Sequence, residues 1–306
     1  MILENPSKIR KENLRIEINS YDYKTQKKEN KHLNPKEIDE LILTKPSTIS
    51  TEIFKLNPKL NIMFFSKGNL IGSFSPIDNL PKILKNEKLF NNLSKYKERK
   101  LRWLFCKAVC SGRIKELSRL NEVRKNETVK QALEEMRELE KKLRGCKTRE
   151  ELMGIEGNIA KMFYFCLSEL SNIWDRNFHT RDRNSKDIVN MLMNFSHTIL
   201  RNKIKYRLYL NGINPYHSFL HNNHRNQESL VFDFAEFWIA YVDKLIFYSL
   251  EKGIIKEKDI SSDILNESAK KEIIKLVGRI TEKDIDKKIK EFKEYLKGNK
   301  NLSWKK

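Results

Sequence analysis

No uninterrupted apolar run in this sequence approaches the roughly 20 residues that a membrane-spanning helix needs. The nearest candidate, Phe237 to Leu250, is broken by Asp243 and Lys244. The N-terminal MILENPSKIRKEN places charges where a secretory signal needs an apolar core, so a cytoplasmic protein with no membrane partner is expected. Four cysteines (Cys106, Cys110, Cys146 and Cys166) form no CxxC pair and no zinc-ligand spacing, which argues against a thiolate zinc centre. Cys106 and Cys110 sit one helical turn apart in the apolar WLFCKAVC, where thiols pack as small hydrophobes. Internal repeats are also lacking.

What is present is length and positive charge. At 306 residues the chain has room for two domains and a sizeable core. Its 39% hydrophobic and 33% charged residues suit a folded rather than a disordered chain. Sixty-one Lys and Arg against 41 Asp and Glu give a formal net charge of +20, which favours a polyanionic partner, nucleic acid first.

The pattern along the chain predicts an α+β protein: a small N-terminal antiparallel β-sheet domain followed by a larger all-α domain. LRIEI (14–18), ELILTK (40–45), NIMFFS (61–66) and NLIGSF (69–74) are short, apolar or alternating, and punctuated by turn-formers. Lys67-Gly68 between two such runs is a hairpin signal, and STEIFKL (50–56) has room for a helical turn or two. Residues 1–80 are therefore assigned to the β domain, 81–95 to a linker, and 96–306 to the helical domain. In the latter, Glu127 to Gly145 has Leu133, Met136, Leu139 and Leu143 at helical spacing, a mixed-charge surface helix. Thr148 with Glu151 makes a capping box for the helix carrying GIEGNIAKMFYFCLSEL. A helix from Ser185 to Gly212, a short one opened by Asn214-Pro215, a long one capped by Ser229, and two charged ones from Ser268 to Leu276 and Glu282 to Leu296 complete the expectation.

Chemistry concentrates in 211–242, NGINPYHSFLHNNHRNQESLVFDFAEFWIAYV, where His221 precedes a polar loop and a helix bearing Asp233 and Glu236. Three residues apart, the two carboxylates share a helix face. Glu156 lies upstream among Leu152, Ile155, Ile159 and Phe163, flanked by Gly154 and Gly157. Two helical glycines cost about 1 kcal/mol each against alanine, a cost that makes sense where something must come close, either a neighbouring helix or a ligand. Asp243 is two turns from Glu236, about 10 Å along the helix, too far to share one ion, so a structural hydrogen bond is its expected role. One histidine with carboxylates suits Mn²⁺ or Mg²⁺ better than zinc and leaves coordination positions for water and a phosphate oxygen, as phosphodiester chemistry requires. Lys161, Arg181, Arg183, His224 and Arg225 supply basic groups near these carboxylates for a nucleic-acid backbone. Taken singly, each of these residues also has an ordinary structural reading, such as a helix-capping histidine or a solvated charge.

In order and spacing, GIEGNIAKMFYF, DIVNMLMNFSHTIL, LNGINPYHSFLH, SLVFDFAEFW and VDKL resemble the CRISPR-associated spacer integrase family (Cas one). The N-terminal IDELILTKPSTISTEIFKLNPKLNIMFFSKGNLIGSF is similar to that family's β-sandwich half. The resemblance makes the two domains a β-sandwich and a catalytic domain, and it implies a metal site of Glu156, His221 and Glu236, with Asp233 as a supporting or alternate acidic group. It implies a homodimer paired through the N-terminal domain, bridged by a small companion protein (Cas two) on a short DNA duplex. It further implies transesterification of 3′-hydroxyl ends into a repeat array, without a nucleotide cofactor, and nuclease activity on branched DNA at the same site. Three departures are visible: Phe163-Tyr164 reverses the usual Tyr-Phe order, His197 stands where tyrosine is common, and Lys45-Pro46 replaces a usual glycine. None touches the proposed ligands, so an active enzyme is expected. The alternatives are a mobile-element transposase on the same core and a non-catalytic basic DNA-binding scaffold.

Overall fold

Isoleucine and leucine alternating with polar residues draw the N-terminal chain into strands whose apolar sides meet in one core. The structure, a computed structural model, describes residues 2–3, 6–22, 27–38, 40–44, 46–66, 69–74, 80–170, 178–221, 228–261 and 264–299. They fall into two compact units, Met1–Asn79 and Leu80–Lys306. In the first, β1 (Ile2–Leu3), β2 (Pro6–Glu12), β3 (Arg15–Asp22), β4 (Lys27–Leu33), β5 (Glu40–Leu43), β6 (Thr48–Ile49), α1 (Ile53–Leu56), β7 (Asn61–Ser66) and β8 (Asn69–Phe74) follow in order. One sheet runs β4-β3-β2-β6 and the other β1-β5-β7-β8. Ile9, Ile16, Ile18 and Leu33 from the first sheet join Leu41, Leu43 and Ile62 from the second in a shared core, closed by Ile53.

The sheets are mixed rather than purely antiparallel. β1 and β7 both run parallel to β5, and β6 runs parallel to β2, while β2-β3, β3-β4 and β7-β8 are antiparallel. The hairpin expected at Lys67-Gly68 has its two strands paired in antiparallel register, although those two residues lie outside the described ones. Two strands escape the alternation rule. β2 (PSKIRKE) buries Pro6 and Ile9, three apart, because a register shift between Pro6 and Lys8 adds a bulge. β4 (KKENKHL) forms an edge of its sheet, where lysines discourage further pairing. Asn13, in the tight turn between β2 and β3, takes the left-handed conformation (φ 52°) that asparagine tolerates.

The second unit is built on α3 (Lys95–Arg124), preceded by α2 (Leu80–Asn91) and followed by α4 (Glu127–Lys142), α5 (Arg149–Leu170), α6 (Ile188–Leu210) and α7 (Ser229–Glu251). A two-residue strand pair, β9 (Ile260–Ser261) with β10 (Ile264–Leu265), interrupts the helices before α8 (Glu267–Gly278) and α9 (Glu282–Leu296). α3 packs against α4, α5 and α7, and α6 packs against α7, α8 and α9. The Thr148–Glu151 capping box forms, with Glu151 N to Thr148 Oγ1 at 3.2 Å and Thr148 N to Glu151 Oε2 at 3.4 Å. Other helix starts shift slightly. Asp187, not Ser185, caps α6 through Asn190 N (2.9 Å), and Ser229 is the first residue of α7 rather than its cap. Among the described residues no helix is long and apolar enough to cross a membrane.

The segment 81–95, expected to be a linker, is instead mostly α2. Its Asn86 is buried and donates to the carbonyl of Gly212 (2.7 Å), while Phe90 stacks on His217 at 4.4 Å between centroids. Asn214 Nδ2 and His217 Nε2 also bond Glu87. The polar run misled because these Asn and Glu side chains bind the 211–217 loop instead of water. Asn86→Ala leaves the Gly212 carbonyl without this donor and is expected to cost about 1–3 kcal/mol. A urea unfolding midpoint unchanged from the parent would contradict that integration.

Candidate metal centre

α3 presents Cys106, Cys110, Arg113 and Leu117 on one stripe, and all four are buried. Arg113 is thus a cation at a core position, with its side chain only 5% exposed. Its Nη1 pairs with Glu156 of α5, and its Nη2 pairs with Glu236 of α7 at 2.8 Å. Burial alone would lower the guanidinium pKa, but the charges of Glu156 and Glu236 reverse that and raise it, keeping the cation protonated. The carboxylates retain 14% and 15% side-chain exposure, so the pair opens to solvent on one side. A second bridge, Lys244 to Glu116, holds α7 against α3.

His221 reaches the site from a loop rather than from the short helix expected after Pro215. The cause is Asp233, one turn before Glu236 and fully buried. Its Oδ2 accepts from Ser218 Oγ (2.9 Å), Phe219 N (2.6 Å) and Leu220 N (3.1 Å). Its Oδ1 accepts from His221 N (3.1 Å) and His221 Nδ1 (2.7 Å). A helix over 215–221 would take those amides into its own ladder; the buried carboxylate takes them instead. Phe219 then anchors the loop in an aromatic cluster with Phe90, Phe105 and Phe292, and Arg149 Nε donates to Leu220 O. With Nδ1 committed, Nε2 is the nitrogen left for a ligand, and it bonds nothing among the described residues. Burial lowers the His221 pKa, but the Asp233 hydrogen bond and charge, with Glu236 and Glu156, outweigh it and raise the net value.

Asp233 is therefore a positioning group. All five of its bonds go to the histidine loop, which leaves no lone pair directed at the Glu156–Glu236 pair. Asp243 stays outside the pair as well. It is fully buried, accepts from Tyr164 OH (2.9 Å) and bonds His197 Nε2 (2.6 Å). Burial and then the Asp243 charge hold the Tyr164 phenol well above its ordinary pKa. Two of the departures from the family pattern, at Tyr164 and His197, thus meet on one carboxylate.

Lys161 is exposed on α5, and His224 and Arg225 lie outside the described residues. Arg181 and Arg183 lie on the loop before α6. Asn190 and Asn194 accept from Arg181 at 2.8 and 2.6 Å. Among the described residues no neighbouring backbone approaches Gly154 or Gly157, since a Cβ built at either meets nothing within 4 Å. They leave open room beside Glu156 instead.

These residues suit a divalent ion in donor chemistry. Glu156 and Glu236 already share one buried cation, and both charges act on an imidazole held by the carboxylate–histidine bond common behind metal-ligating histidines. The ligand atoms are not drawn together around a common point. Among the described residues only Glu12, Glu17 and His32 of the β domain bring three such atoms within 4.8 Å, and there Arg10 already pairs with Glu17. The missed residue is Arg113, and the signal for it was a charge in register with the apolar stripe of α3.

Comparison with known proteins supports this architecture. The chain is 33% identical over 168 residues to the CRISPR-associated endonuclease Cas1 of Fusobacterium nucleatum, a match covering 51% of the chain and 49% of that relative. The match thus spans about half the relative's length. Among solved structures, a casposase bound to integration product superposes with a TM-score of 0.81 at 18% identity, covering 98% of this chain and 91% of that one. A Cas1 protein from Thermotoga maritima gives 0.78 at 20% identity over 100% and 99%. A Cas6-RT-Cas1–Cas2 complex gives 0.74 at 17% identity, covering 98% of this chain and 35% of that one. The family model described as CRISPR associated protein Cas1 matches residues 1–279, and the chain belongs to that family.

Proposed function

We propose that this protein is a divalent-metal-dependent DNA integrase and endonuclease of CRISPR adaptation. The observation that carries the reading is the sharing of Arg113 by Glu156 and Glu236, carboxylates from two helices, beside an imidazole fixed through Asp233. A scaffold protein has no use for two partly exposed carboxylates on one buried arginine. Membership of the Cas1 family, the likeness in fold to a casposase bound to integration product, and the net charge of +20 support a DNA substrate.

The reaction proposed is transesterification. A 3′-hydroxyl of a short duplex attacks a phosphodiester at the repeat, one P–O bond forming as another breaks, and the departing 3′-oxygen takes up a proton. No nucleotide cofactor is consumed. Water in place of the hydroxyl gives the endonuclease reaction. Glu156, Glu236 and His221 Nε2 are the groups that would hold Mg²⁺ or Mn²⁺. Such an ion, when bound, polarises the phosphoryl oxygens and steadies the entering and leaving oxygens. Asp233 occupies Nδ1, so Nε2 is the imidazole nitrogen that would serve the ion. Pairing of two copies through the β domain and bridging by the small companion protein Cas2 complete the proposed assembly, the latter in line with a fold neighbour that is a Cas1–Cas2 complex.

Glu156→Ala, His221→Ala and Glu236→Ala are each expected to abolish Mn²⁺-dependent joining of a 3′-hydroxyl duplex to a repeat-bearing plasmid while leaving DNA binding largely intact. Wild-type joining by all three would refute the site. Asp233→Asn is expected to lower joining by roughly 10–100-fold, the usual penalty for losing the group that orients a metal-binding histidine. Arg113→Gln strands two carboxylates and is expected to cost the metal-free protein about 3–5 kcal/mol. Thermal melts should then show Mn²⁺ raising the midpoint more in this variant than in the parent; equal shifts would place the ion elsewhere.

A further inference from the structure

α6 carries a polar stripe, Asn190, Asn194, His197 and Arg201, spaced 4, 3 and 4 residues and therefore on one face. The two asparagines pin the 180–184 loop. Asn190 Nδ2 donates to Thr180 O (2.9 Å), Asp182 N donates back to Asn190 Oδ1 (2.9 Å), and Asn194 Nδ2 donates to Arg183 O (3.0 Å). Arg181 is thereby fixed, and among the described residues its guanidinium bonds two amide oxygens. Arg201 lies over the Phe232 ring at 4.4 Å, and that ring is 5.9 Å from the His221 ring. Its Nε is sealed from solvent and bonds nothing among the described residues. Burial, then the charges of Arg183 and Arg181, push its pKa down to about 10 against the pull of Glu236 and Asp243. Among the described residues none of Arg181, Arg183 and Arg201 meets a carboxylate at ion-pair distance. Of the three, Arg201 is stacked and partly buried, with a sealed Nε that bonds nothing among the described residues, and such a guanidinium is costly unless an anion joins it.

We propose that Arg201, with Arg181 and Arg183, forms a phosphate site beside the Glu156–Glu236 pair that seats one backbone phosphate of the DNA strand. The proposal rests on the DNA-processing reading above. Arg201 is a positioning residue here: stacking on Phe232 fixes its guanidinium next to His221, so a phosphate held there sets the register of the strand at the carboxylates.

The test is the salt dependence of binding to a labelled branched DNA duplex in EDTA, where divalent ions do not contribute. Arg201→Gln and the exposed Arg183→Gln are each expected to flatten the log–log salt slope by about 0.7–0.9, one phosphate contact. Arg201→Lys, which keeps the charge, should restore most of the slope. Lys130→Gln, remote on α4 and paired with Glu127, serves as the unchanged control. A merely structural arginine would lower the melting temperature without moving the slope. If Arg201→Gln fails to fold, Arg183→Gln decides alone. Parental slopes in the folded variants would overturn the phosphate site, whereas a parent protein with no salt-dependent binding would overturn the DNA reading itself.

Discussion

A fully buried carboxylate with five hydrogen bonds, Asp233, is the constraint on which the site depends. Uncompensated, such a charge is too costly to keep inside a protein. Here the compensation is a loop: three backbone amides, a serine hydroxyl and an imidazole fold around it. Loop and helix become one piece, so the element that carries Glu236 also fixes His221. Phe219 anchors the same loop in the aromatic core, and α2 closes over it through Asn86 and Phe90. The histidine is therefore held by packing and by charge together, the rigidity a preorganised site requires.

Carboxylates of α7 meet different fates according to their neighbours. Asp243 is enclosed by Tyr164 and His197, donors that satisfy it in place. Glu236 points to Arg113 and keeps partial exposure, and Glu156 meets the same arginine from α5. A single guanidinium meets two negative charges, leaving the group net negative, with the arginines around α6 nearby. On the proposed reading, the negative pair serves as an ion-binding point and the positive flank as a seat for the backbone charge of a phosphodiester.

Much of this was legible in the sequence where pattern and physics coincide. The Thr148–Glu151 capping box, the α7 carboxylates on one face and the strands at 61–66 and 69–74 follow from spacing alone. β2 was hidden by a bulge that turns alternation into a three-residue interval, and β4 by the lysines that protect an edge. α2 read as a linker because its polar residues bind a loop distant in sequence, a relation no local period reveals. Parallel pairing within the sheets is likewise set by long-range topology. Arg113 was readable only as an oddity in an apolar stripe; its two partners lie 43 and 123 residues away. Gly154 and Gly157 suggested the approach of a helix or a ligand; among the described residues no helix comes close, and they border open space.

Locating Mn²⁺ by its anomalous X-ray scattering in crystals of the protein grown or soaked with the ion tests the central claim most directly. The account predicts a peak bonded to Glu156, Glu236 and His221 Nε2, with Asp233 still on Nδ1 and the Arg113 guanidinium displaced from between the carboxylates. A peak confined to Glu12, Glu17 and His32 of the β domain, or none between Glu156 and Glu236 at saturating Mn²⁺, would contradict it.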